Sequence, residues 1–358
     1  MRRVILPLLA LLLVSCAGKS VSQAPPKAPE KKTALIVLKT PGRPRNPLAL
    51  DLDGDGQKEL VVVVKSPKIY VFRKKDGNYK LSATYQVITH NTYLAALDLE
   101  ADGDPDLVPI TEALVGPVLL NDGRGNFTVS KLQYPAPKFG YALCATSLNG
   151  DRYPDLAAVG LFEEGLYLYL NERGQGFQQK KVKLPPAKDY FGGYKGLREV
   201  KPLPQKDGFD DLLLVHYFGK RVLLAENLGD GNFSFETLYE GPSTISSAAL
   251  MGKRLVVAEE AIKRVLVLEK NAQGKFVPVK TIERDRAVPR RIISRGDTWA
   301  ILWLKGLDSV IEIYHKAQLI DKIILTERRC EYGLLEEDII WCSDLRNNEV
   351  VGIKYAAE

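Results

Sequence analysis

The sequence predicts an all-β fold built from repeated four-stranded units, and three observations support this prediction. An acidic, turn-forming stretch followed by an apolar strand recurs along the chain. A second turn, rich in Gly and Asn and ending in an aromatic residue, follows each copy of the first. Helical periodicity is nearly absent after residue 33, whereas short runs of Val, Leu and Ile lie between turns, which is typical of strands.

The acidic stretch occurs in three full copies and one partial copy. The full copies are DLDGDGQKELVVVV from Asp51, DLEADGDPDLVPI from Asp98 and SLNGDRYPDLAAVG from Ser147. The segment KDGFDDLLLV, which starts at Lys206, keeps the second half of the pattern. Such self-similarity indicates a repeat architecture, so the chain does not need two separate domains to bury its apolar residues.

The Gly/Asn turn recurs at intervals of 43 to 56 residues. Its copies are KKDGNY, NDGRGNF, NERGQGF, NLGDGNF and a reduced NAQGKF, which end at Tyr79, Phe127, Phe177, Phe233 and Phe276. A turn of this composition between alternating strands is typical of a β-hairpin. A repeat of this length holds four short antiparallel strands, which is the size of a β-propeller blade.

Counting forward from the repeats gives seven blades, and the last one is short by one strand. The predicted blades cover residues 41–88, 89–136, 137–187, 194–241, 243–284, 286–326 and 327–355. We expect the N-terminal strand, residues 34–39, to complete the last blade and close the ring, because closure removes exposed sheet edges. Six or eight blades remain open alternatives, since the last two repeats rest on a weak pattern.

The first residues of the chain read as a secretion signal. Two arginines precede an apolar run over residues 4–14, which is too short to span a bilayer. The segment LVSC that ends this region resembles the lipobox of bacterial lipoproteins. The resemblance implies a signal peptide over residues 1–15, a lipid anchor on Cys16 and a location in the bacterial cell envelope, at the outer membrane. An ordinary signal peptide, in which Cys16 is incidental, is the alternative.

A polar linker separates this signal from the folded part of the chain. Residues 16–33 are rich in Pro, Ala, Lys and Ser, so we expect a flexible tether, with the propeller domain covering residues 34–358. The net charge of +6 is spread along the chain without a basic block in the folded part. Together with the secretion signal, this spread of charge argues against a nucleic-acid partner.

The remaining cysteines suggest one disulfide. Cys330 and Cys342 flank EYGLLEEDIIW, which reads as a tight hairpin that would place the two cysteines opposite each other. We therefore expect a disulfide between them, with two independent buried thiols as the alternative. Cys144 lies in an apolar strand and is expected to be a small buried hydrophobe.

The segment KFGYALCATSLNGDRYPDLAAVG, residues 138–160, resembles an FG-GAP repeat of the integrin α-chain type. Residues 41 to about 241 resemble the related VCBS repeats. This resemblance implies a seven-bladed propeller that binds proteins or glycans. It also implies calcium ions held in the loops between the first two strands of some blades.

The acidic loops carry suitable calcium ligands in their own right. A hard cation prefers six to eight oxygens, which a tight loop supplies from alternate residues while Gly lets the chain turn. The first loop offers the carboxylates of Asp51, Asp53, Asp55 and Glu59 and the carbonyl of Gln57. The second loop offers Asp98, Glu100, Asp102, Asp106 and the carbonyl of Asp104. The third loop offers Ser147, Asn149, Asp151, Asp155 and the carbonyl of Tyr153.

These ligand sets predict different calcium affinities. The third loop has only two carboxylates and carries Arg152 where a Gly is expected, so its affinity should be below that of the first two. The fourth loop keeps only Asp207 and Asp211, and we expect no metal there. Any bound calcium is expected to be structural, because a site filled by its own chain leaves no open position. The alternative is that these loops are solvated Asp/Gly turns whose side chains cap their own backbone.

An insertion between the third and fourth blades is the candidate ligand-binding segment. It reads DYFGGYK and contains Tyr190, Phe191 and Tyr194. Aromatic residues on a connecting loop can stack on sugars or anchor a partner protein. The alternative is that Phe191 and Tyr194 fill the hub where the blades meet.

No catalytic constellation is recognisable in the sequence. His90, His216 and His315 fall in different blades without Cys or His at metal-ligand spacing, and there is no Gly-rich phosphate loop or nucleophile elbow. We therefore expect a lipoprotein of the envelope or cell surface that acts in binding, adhesion or scaffolding, with a protein or glycan partner, and not an enzyme. An envelope polysaccharide lyase or hydrolase on a propeller scaffold is the alternative.

Overall fold

The computed structural model describes residues 35–87, 91–229 and 231–355. Seven antiparallel sheets follow one another along the chain, and the inner strand of each sheet packs beside that of the next. The fold is a seven-bladed all-β propeller, as predicted. The signal peptide, Cys16, the linker up to residue 33 and His90 lie outside the described residues.

Six of the seven sheets consist of four antiparallel strands. The first strand of the chain, β1 (Leu35–Lys39), belongs to the last blade. The first blade contains β2 (Pro44–Leu50), β3 (Glu59–Val64), β4 (Lys68–Lys75) and β5 (Asn78–Gln86).

The second blade is the irregular one, because its third and fourth strands are each split in two. It contains β6 (Asn91–Leu97), β7 (Asp106–Thr111), β8 (Leu114–Val115), β9 (Leu119–Asn121), β10 (Phe127–Val129) and β11 (Tyr134–Pro135). β7 pairs with both pieces of the third strand, so the sheet keeps its order despite the break.

The remaining blades return to the regular four-strand pattern. The third contains β12 (Gly140–Thr146), β13 (Asp155–Gly160), β14 (Glu163–Asn171) and β15 (Phe177–Val182). The fourth contains β16 (Glu199–Leu203), β17 (Asp211–His216), β18 (Arg221–Asn227) and β19 (Phe233–Glu240). The fifth contains β20 (Ile245–Met251), β21 (Arg254–Glu259), β22 (Arg264–Lys270) and β23 (Phe276–Glu283).

The last two blades complete the ring. The sixth contains β24 (Ala287–Arg295), β25 (Thr298–Lys305), β26 (Asp308–His315) and β27 (Gln318–Leu325). The seventh contains β28 (Cys330–Leu335), β29 (Ile339–Asp344), β30 (Glu349–Lys354) and β1. A 3-10 helix, Phe191–Gly193, lies between the third and fourth blades. Among the described residues, no helix has the length and apolar character needed to cross a membrane.

β1 closes the ring by pairing antiparallel with β30 along its whole length. The Lys39 ammonium forms an ion pair with the Glu349 carboxylate at one end of this pairing. Leu38 is buried in a cluster that also contains Leu60 of the first blade, so β1 joins the two ends of the ring. The prediction that the N-terminal strand completes the last blade is confirmed.

The hydrophobic core lies between the blades. The second strand is buried along its whole length in each of the first three blades. Apolar clusters then join neighbours: Leu107 of the second blade packs with Val61 of the first, and Leu302 of the sixth packs with Ile340 of the seventh. Because full burial of one such side chain contributes about 1.5–3 kcal/mol, each blade depends on its neighbours for stability.

The structure joins Cys330 and Cys342 by a disulfide, with their Cα atoms 5.5 Å apart. The register differs from the predicted one, because a bulge in the pairing of β28 with β29 places Cys342 opposite Gly333 and Cys330 opposite Asp344. The two cysteines are therefore diagonal neighbours and are not directly opposite each other. Cys144 is a free, partly buried thiol, and burial raises its pKa to about 12.

Substitution of Leu38 tests the role of β1 in closing the ring. Leu38 is 6% exposed and contacts the first blade, whereas its neighbour Val37 is 40% exposed. We expect Leu38→Ala to lower the free energy of unfolding in urea by about 2 kcal/mol, because it removes buried contacts between the last and first blades. The control Val37→Ala should lower it by less than about 1 kcal/mol. Equal losses would contradict this role of the Leu38 side chain.

Candidate metal centre and aromatic surface

The first acidic loop, between β2 and β3, brings three carboxylates together. One oxygen each from Asp51, Asp53 and Glu59 lies within 4.8 Å of the other two. Oδ1 of Asp51 and Oδ1 of Asp53 are buried without a hydrogen-bond partner. A buried carboxylate oxygen without a partner is costly, and a hard cation would satisfy both atoms. The residues present therefore fit a calcium ion.

Local backbone preferences build this loop. Gly54 and Gly56 have φ angles of 71° and 81°, in the left-handed region that Gly adopts most readily. The Gly56 amide donates to Oδ2 of Asp51 at 2.9 Å. Glu59, at the start of β3, is only 4% exposed and accepts a hydrogen bond from the Leu52 amide at 2.9 Å. Burial raises the pKa of Glu59, and the hydrogen bond from Leu52 opposes that rise.

Arg73 balances part of the negative charge in this loop. Its guanidinium lies 2.9 Å from Oδ2 of Asp53 and donates to the carbonyl oxygen of Gly125 in the second blade at 3.1 Å. Three carboxylates and one guanidinium leave two negative charges, which a divalent cation would neutralise. Asp55, a predicted ligand, lies outside this group of three, and its carboxylate accepts a hydrogen bond from the Gln57 amide at 2.7 Å.

The second loop does not converge in the same way. The Asp98 carboxylate accepts hydrogen bonds from the amides of Asp102 at 2.9 Å and Gly103 at 2.8 Å. Partial burial and the negative charges of Asp102 and Asp98 raise the pKa of Asp104. Within the described ranges, the acids of this loop do not form a group of three carboxylate oxygens within 4.8 Å. The loop therefore fits a cation less closely than the first loop does.

The third loop is tied to the fourth blade. The Ser147 amide donates to the Asp210 carboxylate at 2.9 Å. Asp151 accepts hydrogen bonds from the Tyr153 amide at 2.8 Å and from the Asn149 side chain at 3.0 Å. These polar groups already have protein partners in the structure. Calcium in the second and third loops stays a prediction.

A recurring Asp–Asn pair, called the lock below, joins each of the three acidic loops to the next blade by hydrogen bonds. It was not predicted from the sequence. In the second blade, the Asp106 carboxylate accepts from the amides of Leu99 and Asn121, both at 2.8 Å. The Asn121 side chain donates in turn to the Leu52 carbonyl of the first blade at 2.9 Å. Burial raises the pKa of Asp106 to about 7, against the effect of the two amides, and the charge of Glu100 adds to the rise.

The same lock appears in the next two blades, with one amide bond fewer in the fourth. In the third blade, Asp155 accepts from the Asn171 amide, and the Asn171 side chain donates to the Leu99 carbonyl. In the fourth blade, Asp211 accepts from the Asn227 amide, and the Asn227 side chain donates to the Leu148 carbonyl. In all three blades the Asn is the first residue of a Gly/Asn turn motif. That recurring first Asn is the sequence signal for the lock.

Five aromatic side chains, two of them exposed and three partly buried, form a continuous strip on the other face of the propeller. This aromatic strip consists of Phe139, Phe162, Tyr194, Phe218 and Tyr217, whose successive ring centroids lie 4.9 to 5.2 Å apart. All five residues lie in loops that connect two blades or the second and third strands of a blade. Because the acidic loops connect the first and second strands, the two features lie at opposite ends of the antiparallel blades.

The three aromatic residues predicted to bind a ligand have two different roles. The Tyr190 hydroxyl donates to the Glu164 carboxylate at 2.7 Å and accepts from the Ala187 amide at 3.0 Å, so Tyr190 anchors the insertion. Phe191 and Tyr194 are 55% and 52% exposed. They therefore face solvent. The alternative, in which Phe191 and Tyr194 fill the hub, is wrong.

His216 supports the insertion through a contact with the backbone of Lys195. Its ring is fully buried, Nε2 lies 3.0 Å from the carbonyl oxygen of Lys195, and Nδ1 accepts from Nε of Arg221 at 3.1 Å. These partners assign the hydrogen of the neutral ring to Nε2. Burial, followed by the positive charge of Arg221, lowers the pKa of His216 to about 3. The ring is therefore neutral at pH 7.

Polar side chains from the inner strands pack in the hub. Glu199 accepts hydrogen bonds from the Ser247 hydroxyl at 2.9 Å and forms ion pairs with Lys201 at 3.0 Å and with Arg291. The Arg291 guanidinium also lies over the Tyr332 ring, 5.0 Å from its centroid. Burial opposes ionisation of Glu199, but the nearby Lys201 and Arg291 lower its pKa overall. The buried carboxylate is therefore paired on several sides.

These features define a seven-bladed β-propeller scaffold with acidic loops on one face. Residues 35–108 match the family model described as an FG-GAP-like repeat. The match covers β1, the first blade and the start of the second, and it confirms the predicted resemblance there. The segment 138–160, which carried that resemblance in the sequence, lies outside the matched residues. No curated protein matches the chain in sequence.

Solved structures of the same fold are similar to this chain over most of its length. BBS1N in complex with ARL6DN has a TM-score of 0.64 and 9% identity, with 90% of this chain and 97% of that chain covered. The Cps50 (Swd1) propeller domain of Myceliophteria thermophila has a TM-score of 0.63 and 10% identity, with 89% and 98% covered. Virginiamycin B lyase from Staphylococcus aureus has a TM-score of 0.62 and 11% identity, with 91% and 100% covered. These likenesses establish the fold alone.

The neutral state of His216 predicts a specific loss of stability in acid. The unfolded chain binds a proton on this ring near pH 6.5, whereas the folded chain does so only near pH 3. The stability from neutral His216 is therefore present above pH 6.5 and is lost as the pH falls, at up to about 1.4 kcal/mol per pH unit. We expect His216→Gln to remove about 2 kcal/mol of the difference in unfolding free energy between pH 7 and pH 5.

The matched control is His315→Gln, at a partly exposed histidine whose Nδ1 lies 3.1 Å from the Thr298 hydroxyl. Urea unfolding at several pH values compares the two variants with the wild type. The same pH slope in the wild type and in His216→Gln would contradict the buried, neutral state of His216.

Proposed function

We propose that this chain is a calcium-binding β-propeller of the bacterial cell envelope that binds a protein partner through its aromatic strip. The strip itself carries the proposal. Its rings lie on the third and fourth blades and on the loops that lead into them, and Phe162 and Tyr194 are 41% and 52% exposed. Contiguous exposed apolar surface of this kind marks interaction sites on soluble domains. Tyr and Phe bury large, rigid surfaces at a low entropy cost, so they favour a binding role.

The support beneath the strip favours recognition by a preformed surface. Tyr190 is fixed by Glu164, and His216 is fixed by Lys195 and Arg221. Because these groups are ordered before a partner arrives, binding would cost little further ordering. Among proteins of this fold, BBS1N has been crystallised in complex with ARL6DN. That likeness lies in the fold, so the partner assigned to this chain rests on its own aromatic residues.

A glycan is the second candidate for the partner. A cavity of about 640 Å³ lies beside Phe162 and Tyr194. Its other lining residues are mostly charged: Lys138, Glu163, Glu164, Lys181, Gly193 and Lys195. Aromatic faces with convergent polar groups are the chemistry that binds sugars, so this cavity favours a saccharide over a lipid.

The aromatic strip is a binding surface and has no catalytic role in this proposal. His216 is buried below the insertion with both ring nitrogens in polar contacts, and His315 has a contact with Thr298. Neither ring belongs to the aromatic strip. A lyase or hydrolase role would rest on the likeness to virginiamycin B lyase, and that likeness concerns the fold.

Calcium in the first acidic loop has a structural role in this proposal. Asp51, Asp53 and Glu59 would hold the ion, and their loop is linked to the second blade through Arg73. An ion that neutralises the loop would stabilise the junction between two blades. The lipobox-like LVSC segment supports the remaining part of the proposal, in which Cys16 and the linker 16–33 tether the propeller to a membrane.

Removal of calcium tests the metal site. At calcium concentrations about 100-fold above the dissociation constant, binding adds about 2.7 kcal/mol, so we expect the melting temperature to be about 5 °C higher in calcium than in EGTA. Asp51→Ala should abolish most of this difference. Asp98→Ala, the same change at the equivalent position of the second loop, should abolish less of it, because both oxygens of Asp98 already accept backbone hydrogen bonds, whereas Oδ1 of Asp51 has no partner.

Differential scanning calorimetry measures both variants and the wild type in the same buffers. Equal melting temperatures of the wild type in calcium and in EGTA would contradict calcium binding. An equal loss in the two variants would contradict the preference for the first loop.

Site-specific photo-cross-linking tests the partner surface. A benzoylphenylalanine at position 194 should give a defined cross-linked product in intact cells, because Tyr194 lies in the aromatic strip. The same probe at Leu228, which is 65% exposed in a hairpin on the acidic-loop face, should not give that product. Mass spectrometry then identifies the partner, and a glycan array screens the purified chain in parallel.

With the identified partner purified, calorimetry compares two double variants. Phe162→Ser with Tyr194→Ser should weaken binding about tenfold or more, because it removes two aromatic contacts. Leu81→Ser with Leu228→Ser removes two other exposed apolar side chains and should change binding less than about twofold. The same product at both cross-linking positions, or equal weakening in both double variants, would refute binding through the strip.

A further inference from the structure

A cavity rich in arginine lies where the sixth, seventh and first blades meet. Its volume is about 740 Å³. Its lining includes four arginines and one carboxylate: Arg43, Arg45, Gly306, Leu307, Arg329, Glu331, Leu345, Arg346 and Asn348. The lining loops connect blades or join second to third strands, so the cavity opens on the same face as the aromatic strip. The strip lies on the third and fourth blades and on the loops that lead into them, so the two features are separate.

The one carboxylate in this cavity is already neutralised. Glu331 forms ion pairs with Arg290 at 3.2 Å and with Arg329 at 2.5 Å. Across the described ranges, no carboxylate lies within 4.0 Å of the guanidinium of Arg43, Arg45 or Arg346. The cavity therefore holds three positive charges without a protein counter-charge.

Arg45 is held in place with one donor unsatisfied. Its Nη1 donates to the Tyr332 hydroxyl at 2.7 Å, and its guanidinium lies 5.4 Å from the centroid of that ring. Its Nε is buried and has no hydrogen-bond partner. A buried donor on a charged group is costly when it has no acceptor. An anion in the cavity would supply a counter-charge to the Arg45 guanidinium, which lines it.

We infer that this cavity binds a small organic polyanion, namely a phosphorylated or sulfated sugar of about one or two rings. Planar guanidinium groups match the paired oxygens of phosphate and sulfate, and three of them around one cavity favour a ligand with more than one oxyanion group. The cavity volume falls in the range of about 300–1,000 Å³ that accommodates organic ligands, so it exceeds the need of a single phosphate. This site is independent of the aromatic strip and of calcium.

Calorimetry with defined probes tests the site. Inorganic pyrophosphate represents a minimal polyanion, a sulfated heparin disaccharide represents the sugar-sized ligand, and maltose is the uncharged control. We expect the sulfated disaccharide to bind most tightly, pyrophosphate more weakly, and maltose not at all. Raising the salt concentration tenfold should weaken the binding of both anions.

Two matched double variants separate a site from general surface charge. Arg43→Gln with Arg346→Gln removes two exposed cavity arginines and should weaken both anions about tenfold or more. Arg124→Gln with Arg173→Gln removes two exposed arginines from turns on the acidic-loop face and should change their affinity less than about twofold. Melting curves check that both double variants remain folded.

Four outcomes would overturn the inference. Three of them are failure of the wild type to bind either anion, equal weakening in the two double variants, and binding of maltose as tight as that of the sulfated disaccharide. The fourth is tighter binding of pyrophosphate than of the disaccharide, which would contradict a sugar-sized ligand. The inference is supported if the Arg43 and Arg346 double variant binds both anions more weakly than the control double variant does, and if maltose does not bind.

Discussion

Each blade of this propeller buries apolar side chains from both faces of its sheet, so no blade is complete without two neighbours. A linear row of seven sheets would leave one apolar face bare at each end, and pairing of β1 with β30 removes both ends together. Leu38 shows the consequence, because a residue near the start of the chain is buried against Leu60 of the first blade while its strand belongs to the seventh. The closed ring therefore fixes the positions of the loops on both faces.

Similar acidic motifs behave differently once the ring is closed. In the first loop, Asp51 and Asp53 keep buried oxygens without partners, and Arg73 offsets only part of their charge. In the second loop the equivalent Asp98 is satisfied by the amides of its own turn. In the third, Ser147 is bound by a carboxylate from the fourth blade. A loop is therefore suited to a cation when its oxygens lack hydrogen-bond donors from the surrounding chain.

The two faces of the ring carry different chemistry. One face presents the acidic loops, and the other presents the aromatic strip and the arginine-lined cavity. Between them, the hub buries a paired set of charges around Glu199 and Arg291. A buried pair of this kind requires complete partners, which favours a rigid centre. A rigid centre is a suitable support for recognition surfaces, because loops on it need little reordering when a ligand binds.

The sequence by itself predicted four-stranded blades with their approximate bounds, a count of seven with six or eight left open, and the closing strand, because a period of four short strands and a strand-sized remainder leave few ways to cover every apolar face. It also placed Tyr190, Phe191 and Tyr194 in one insertion. Only the tertiary structure decided that Tyr190 anchors this insertion while Tyr194 joins four aromatics from other loops, and that Asn121 locks onto Leu52 of another blade. These contacts join residues far apart in the chain, and local pattern contains no information on which loops meet. The same holds for Arg43 and Arg346, which become neighbours only because the ring closes.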